Sequence, residues 1–214
     1  VGKEGGKQMN EALETALAVL LGYLLGSISF SIILSRLKYR DDIRRHGSGN
    51  AGMTNTLRTY GKLSAAIVLA GDFGKGFLAA WLGWQLGWSP LAAYLAGLAA
   101  VVGHMFPFYF GFRGGKGVAT AAGVILGTCQ PVFLVLAGTF VAIIFFSRYV
   151  SLGSVSVAAL YPLAMIFLAW GPSGFLRPEM LCSLGMAALV IWAHRSNIQR
   201  LLAGTENRLG QKKN

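Results

Sequence analysis

Residues 12–35 read ALETALAVLLGYLLGSISFSIILS, an apolar run interrupted by one charged residue, Glu14. A helix crosses the ~30 Å hydrocarbon core with about 20 apolar residues, whereas a signal-peptide core has only about 7–15. This run is too long for a signal peptide, and further runs follow it, so it reads as an uncleaved transmembrane helix. The next candidate spans are Leu63–Trp88, Leu91–Phe110, Val118–Gly127, Val132–Ser147, Leu152–Trp170 and Met180–Ala193. They are continuous apolar runs without the ten-residue alternation of a barrel, so helices are expected. The expected fold is all-α: a polytopic integral membrane protein with seven transmembrane helices. The fourth span is short and bounded by glycines and Pro131, which suits a half-length or tilted helix. Val1–Gln8 is polar and Gly/Lys-rich and precedes Met9, a natural start. It reads as a leftover of cloning, with residues 9–214 forming a single membrane domain.

Composition agrees with this reading. Hydrophobic residues make up 54% and charged residues 13% of the chain, about half the charge of a soluble domain. The net charge of +11 is divided among loops. Arg36, Lys38, Arg40, Arg44, Arg45, Arg58 and Lys62 follow the first span. Arg113, Lys116, Arg148, Arg195, Arg200, Arg208, Lys212 and Lys213 fall on the same side of the expected membrane, against Lys3, Lys7 and Arg177 on the other. Positive charge favours the cytoplasmic face. The N-terminus is then outside and the C-terminus cytoplasmic, which requires an odd number of spans. Dispersed charge of this kind does not build a nucleic-acid-binding face. Cys129 and Cys182 lie in apolar surroundings without CxxC spacing, so neither a metal site nor a structural disulfide is expected.

The first polar segment with chemical character runs Arg44-Arg45-His46-Gly47-Ser48-Gly49-Asn50-Ala51-Gly52-Met53-Thr54-Asn55-Thr56-Leu57-Arg58. Its G-x-G-x-x-G spacing follows a membrane helix and not a strand, so it is not a dinucleotide fingerprint. Glycines still allow backbone amides to approach an anion, and Arg58 offers a planar fork suited to phosphate. A loop that only fixes topology needs Lys and Arg, but not Gly-Ser-Gly-Asn followed by Thr-Asn.

The second segment, Phe112-Arg113-Gly114-Gly115-Lys116-Gly117-Val118-Ala119-Thr120, surrounds Lys116 with glycines at a helix start, a plausible anion nest. Gly117 stands where a Walker A loop requires Ser or Thr. A tight basic turn is the plainer alternative. In the third segment Ser151 and Ser154 are three apart, so one helical face could present both; capping by Ser151 explains it equally well. In the fourth, His194 and Asn197 share that spacing at the mouth of the last span, ahead of Arg200 and Glu206. Ile198, Leu201 and Leu202 suit a short interfacial helix. Asp72 and Lys75 interrupt the second span at a spacing that permits mutual pairing, and His104 reads as structural.

The H-x4-D acyltransferase signature and the G-x-S-x-G elbow are both missing. No Cys/His cluster in the loops suggests metal-assisted phosphotransfer. Positive charge, amides and hydroxyls remain, which bind and orient phosphates.

Together these segments resemble the bacterial PlsY family, the acyl-phosphate:glycerol-3-phosphate acyltransferases. The resemblance runs through Gly26-Ser27, Gly47-Ser48-Gly49-Asn50, Thr54-Asn55, Arg58, Asp72 with Lys75-Gly76, and His104-x-Phe-Pro. It continues through Gly114-Gly115-Lys116-Gly117-Val118-Ala119-Thr120, Arg148-Tyr149-x-Ser151, and His194-x-x-Asn197-Ile198-x-Arg200-Leu201-x-x-Gly204-x-Glu206. The family often has Pro near Ser29, which this chain lacks.

The resemblance implies acyl transfer from a long-chain acyl phosphate to the 1-hydroxyl of glycerol 3-phosphate at the cytoplasmic face of the bacterial inner membrane, in phospholipid synthesis. Lysophosphatidate and phosphate would be the products. The implied catalytic residues are Ser48, Arg58, His194 and Asn197. The implied substrate-binding residues are Gly47, Gly49, Asn50, Thr54, Asn55, Gly114, Gly115, Lys116, Gly117, Ser151, Ser154 and Arg200. No cofactor or metal is implied; the partners are the two substrates and the lipid bilayer. A transporter of phosphorylated solutes is the alternative, and would show repeats and broken helices near the midplane. A membrane scaffold would explain the spans but not the polar segments.

Overall fold

The computed structural model describes residues 2–87, 89–170 and 177–210, with side chains described from Asn10 onward and not at Trp170. Among the described residues the chain is entirely helical, with no strand. The order is α1 (Gly2–Gly26), α2 (Phe30–Tyr39), a 3-10 turn (Ile43–Arg45), α3 (Met53–Tyr60), α4 (Lys62–Gly87) and α5 (Pro90–Met105). A second 3-10 turn (Phe108–Phe110) leads to α6 (Val118–Thr128) and α7 (Gln130–Ser147). Then come α8 (Val150–Met165) with a π turn (Ile166–Trp170), α9 (Pro178–Ala193) and α10 (Arg195–Leu202).

Among the described residues, five stretches are helical, long and apolar enough to cross a membrane: Asn10–Tyr39, Lys62–Gly87, Pro90–Phe110, Gln130–Ser147 and Val150–Ala169. Two shorter apolar helices, Val118–Thr128 and Pro178–Ala193, stand where the fourth and seventh spans are expected. At 11 residues, α6 rises only about 16 Å, roughly half the hydrocarbon thickness. The expected end of the second span, Trp88, lies outside the described residues.

The chain forms two compact units, Val1–Thr128 and Cys129–Asn214. In the first unit α1 packs on α5 and α4 on α5 and α6. Small residues set these contacts. A Cβ on Gly26 would lie 2.1 Å from the Ala100 carbonyl oxygen, and one on Gly123 would lie 2.0 Å from that of Phe73. Backbones this close gain packing in lipid, where no hydrophobic force drives helices together. In the second unit α8 packs between α7 and α9, and α10 packs on α8 and α9.

The first span is not one helix. It breaks at Ser27–Ser29 between α1 and α2. The Ser27 hydroxyl donates to the Tyr23 carbonyl at 2.8 Å, and Ser29 and Ser31 share a hydroxyl contact at 3.3 Å. Such local bonds compete with the helical ladder. The Ile28 carbonyl freed by the break accepts a 2.6 Å hydrogen bond from Lys75 Nζ on α4. Lys75 also pairs with Asp72 at 2.9 Å, as their spacing predicts. Unwound backbone survives at membrane depth only where protein satisfies it.

Candidate active site

In the first unit, Asn55 organises the Gly-rich loop. It is buried, and the two hydrogens of its Nδ2 are shared among the carbonyls of Ile43 (3.2 Å), His46 (2.9 Å) and Asn50 (3.0 Å). Its Oδ1 accepts the Ser48 backbone N–H at 3.0 Å. Gly47 has φ +59°, and a Cβ there would lie 2.2 Å from Asn55 Oδ1, so the turn requires glycine for both conformation and space. Gly49 also adopts positive φ, at +71°. The Ser48 side chain and Arg58 on α3 are exposed, whereas Asn50 and Thr54 are half-buried. No ion pair or hydrogen bond engages Arg58 among the described residues.

A second device binds this loop to the other glycine segment. Asp42 holds Arg44 through two contacts, Nε–Oδ1 at 2.9 Å and Nη2–Oδ2 at 2.7 Å. Arg44 Nη1 then donates to the carbonyls of Phe110 (2.8 Å) and Arg113 (3.2 Å). The Arg44 guanidinium is also the main reason that the Asp42 carboxyl sits well below the usual carboxylate range. Arg44 is therefore a tie between the two polar segments of this unit.

Gly114 and Gly115 do not offer their amides outward. Gly114 N–H donates to the Met105 carbonyl at 3.1 Å and Gly115 N–H to that of His104 at 3.0 Å. Added Cβ atoms would lie 2.0 Å from His104 O and 2.1 Å from His104 Nε2, respectively. These two glycines permit close packing, so an anion nest formed by their own amides is not what the segment contains. Gly117, with φ +81°, turns the chain into α6 beside the half-buried Lys116. The α6 N-terminus lies immediately beyond it.

In the second unit the centre is Glu206, a carboxylate that the sequence reading did not place among the site residues. Its Oε1 accepts from Ser151 Oγ (3.0 Å) and Asn197 Nδ2 (2.8 Å), and its Oε2 from Arg200 Nε (2.7 Å). Burial opposes ionisation of Glu206, but the bonds from Asn197, Arg200 and Ser151 outweigh it, and its carboxyl sits below its ordinary value. The available signal was that Glu206 is the lone acid in a basic tail. Ser151 and Ser154 do not present a paired hydroxyl face: Ser154 Oγ bonds back to the Val150 carbonyl at 2.9 Å. His194 is buried at the α9–α10 corner, with Nδ1 2.7 Å from the Val190 carbonyl. A carbonyl only accepts, so Nδ1 carries a proton.

Comparison with known proteins bears directly on this arrangement. A family model described as glycerol-3-phosphate acyltransferase matches residues 16–204. The chain belongs to the glycerol-3-phosphate acyltransferase family. Among acyltransferase relatives, that of Syntrophomonas wolfei subsp. wolfei is 46% identical over 188 residues, covering 87% of this chain and 92% of its own. That of Halalkalibacterium halodurans is 48% identical over 194 residues, covering 87% and 91%. The fold also matches crystal structures of PlsY (YgiH), an integral membrane glycerol 3-phosphate acyltransferase. Its glycerol 3-phosphate form is 38% identical with a TM-score of 0.84, over 92% of this chain and 96% of that one. Its lysophosphatidic acid form is 37% identical with a TM-score of 0.80, over 92% and 95%. This acyltransferase is therefore an all-helical integral membrane protein, as its hydropathy predicts.

Proposed function

We propose that this glycerol-3-phosphate acyltransferase takes its acyl group from acyl phosphate and delivers it to the 1-hydroxyl of glycerol 3-phosphate. The reading also includes seven spans, an external N-terminus, and polar segments facing the cytoplasm. The observation that carries it is the family match from residue 16 to residue 204, which takes in all four polar segments except Glu206.

The chemistry suits these residues. Acyl phosphate is a mixed anhydride with a good leaving group, so no covalent acyl-enzyme is needed. The glycerol oxygen bonds to the acyl carbon, the acyl carbon–oxygen bond to phosphorus breaks, and inorganic phosphate leaves. The hydroxyl proton passes to a substrate phosphate, whose second pKa of about 6 makes it a competent acceptor. The protein must hold anions and align them. Arg58 supplies a fork for phosphate and Lys116 a point charge. The Ser48 hydroxyl stands exposed on a turn fixed by Asn55. In the second unit His194 orients its ligand, while Asn197 and Arg200 are held in place by Glu206.

The transporter reading gains nothing from the break at Ser27–Ser29. Its free carbonyl, that of Ile28, is occupied by Lys75 and is not open to a solute or ion.

The test offers purified protein in detergent two donors in parallel, acyl phosphate and acyl-CoA, with glycerol 3-phosphate. Lysophosphatidate formed from acyl phosphate alone supports the reading. Product from acyl-CoA alone, or from neither donor, overturns it.

A further inference from the structure

The reaction as proposed leaves unused a cluster of three buried ionisable side chains, Asp72 and Lys75 on α4 and His104 near the end of α5. Lys75 Nζ lies 2.9 Å from Asp72 Oδ1, off the hydrogen-bonding angle, so this contact is ionic. Its directed bonds go to the Ile28 carbonyl (2.6 Å) and to His104 Nδ1 (3.0 Å). Asp72 Oδ1 also lies 3.5 Å from His104 Nδ1, but the ammonium of Lys75, nearer at 2.9 Å, offsets its buried charge. An ammonium only donates. The shorter Lys75 contact at 3.0 Å assigns His104 Nδ1 as the accepting nitrogen, which leaves the ring proton on Nε2.

That Nε2 edge faces the glycine segment. A Cβ on Gly115 would lie 2.1 Å from His104 Nε2 and 2.6 Å from the Ala51 carbonyl oxygen. The His104 carbonyl meanwhile accepts the Gly115 N–H at 3.0 Å. Ring and backbone of one residue thus support the loop that carries Lys116, next to the end of the Gly47–Ala51 turn.

We infer that His104 is a positioning residue for the Gly114–Gly117 loop: its Nε2 edge packs against the loop backbone at Gly115, its carbonyl holds the Gly115 N–H, and Lys75, held by Asp72, fixes the ring. The loop height in turn sets where Lys116 meets its phosphate, a step that rests on the reaction proposed above.

Two near-isosteres separate seating from simple packing. His104→Asn keeps an acceptor near the Nδ1 position for Lys75 but leaves the loop side empty. His104→Gln extends an amide toward the Nε2 position. The measurements are KM for each substrate, thermal unfolding, and amide hydrogen exchange across residues 112–118. For His104→Asn the expected result is a rise of about tenfold or more in KM for glycerol 3-phosphate. The acyl phosphate KM and unfolding temperature should change far less, and exchange at Gly114 and Gly115 should accelerate. His104→Gln should recover much of both losses. Equal behaviour of the two variants in exchange, or losses shared by both substrates in proportion to unfolding temperature, would overturn the inference. Should the wild type prove inactive with acyl phosphate, the reaction reading fails and exchange alone decides. Faster exchange in the Asn variant than in the Gln variant then supports the seating role, and equal exchange refutes it.

Discussion

Glu206 accepts the side-chain amide of Asn197 at 2.8 Å, a contact that helps anchor α10 to the tail that follows it. The same carboxylate holds Ser151 on α8 and Arg200 on α10. Three residues that look like substrate contacts in the sequence thus share an internal acceptor.

A pH dependence follows. The folded carboxyl of Glu206 lies below its ordinary value of 4.5. Its stabilisation is therefore full above that value and fades as pH falls through the lower folded one. Asp42 contributes with the same sign, so the comparison must isolate Glu206. Glu206→Gln should lower the unfolding temperature at neutral pH by about 5 °C, consistent with about 1–3 kcal/mol for lost charge-assisted bonds. The gap from wild type should narrow on acidification below pH 4.5. Thermal unfolding of both proteins across pH checks this; a constant gap would count against it.

Asn55 and Ser48 should separate cleanly. Asn55→Ala removes four bonds that define the loop, including the one to the Ser48 amide. It should abolish measurable activity and loosen residues 43–50, visible as faster amide exchange. Ser48→Ala keeps its backbone bond, so the loop should stay ordered while kcat falls. Loosening of the loop in Ser48→Ala would contradict this division.

The same division limits what the sequence could convey. The apolar helices were legible because lipid imposes a length and composition on each. The break at Ser27–Ser29 was not: serines often sit inside membrane helices, and what stabilises this break is Lys75, 47 residues away. Residue chemistry marked Asn55, Asn197, Gly114 and Gly115 as readily as Ser48 and Arg58. Spacing along the chain could not reveal that the first four point inward to carbonyls, a carboxylate and an imidazole. Glu206 was overlooked because an acid opposes the charge expected at a phosphate site.

Arg58 is exposed and engages no described residue, so its substitution should leave the fold alone. Arg58→Lys retains charge but loses the planar fork. We expect kcat/KM to fall about tenfold to a hundredfold, as for loss of about 1.5–3 kcal/mol of charged hydrogen bonding. The unfolding temperature should not move. Near-normal kinetics would remove Arg58 from the phosphate site.

His194 offers the sharpest view of proton transfer. Its Nδ1–H is committed to the Val190 carbonyl, which fixes the orientation of the ring. If a substrate phosphate takes the proton, His194→Gln should keep much of the activity and His194→Ala should not. A pH–rate profile of each variant checks this. Loss of several orders of magnitude in both, with glycerol 3-phosphate still bound, would make His194 the base.

The central claim is an acyl transfer in which phosphate is the leaving group. Its most direct test follows lysophosphatidate and inorganic phosphate together in one reaction of purified protein with acyl phosphate and glycerol 3-phosphate. The account predicts that both appear at the same rate and in equal amounts, and that neither appears without glycerol 3-phosphate. Phosphate released without glycerol 3-phosphate, or lysophosphatidate formed without matching phosphate, would contradict it.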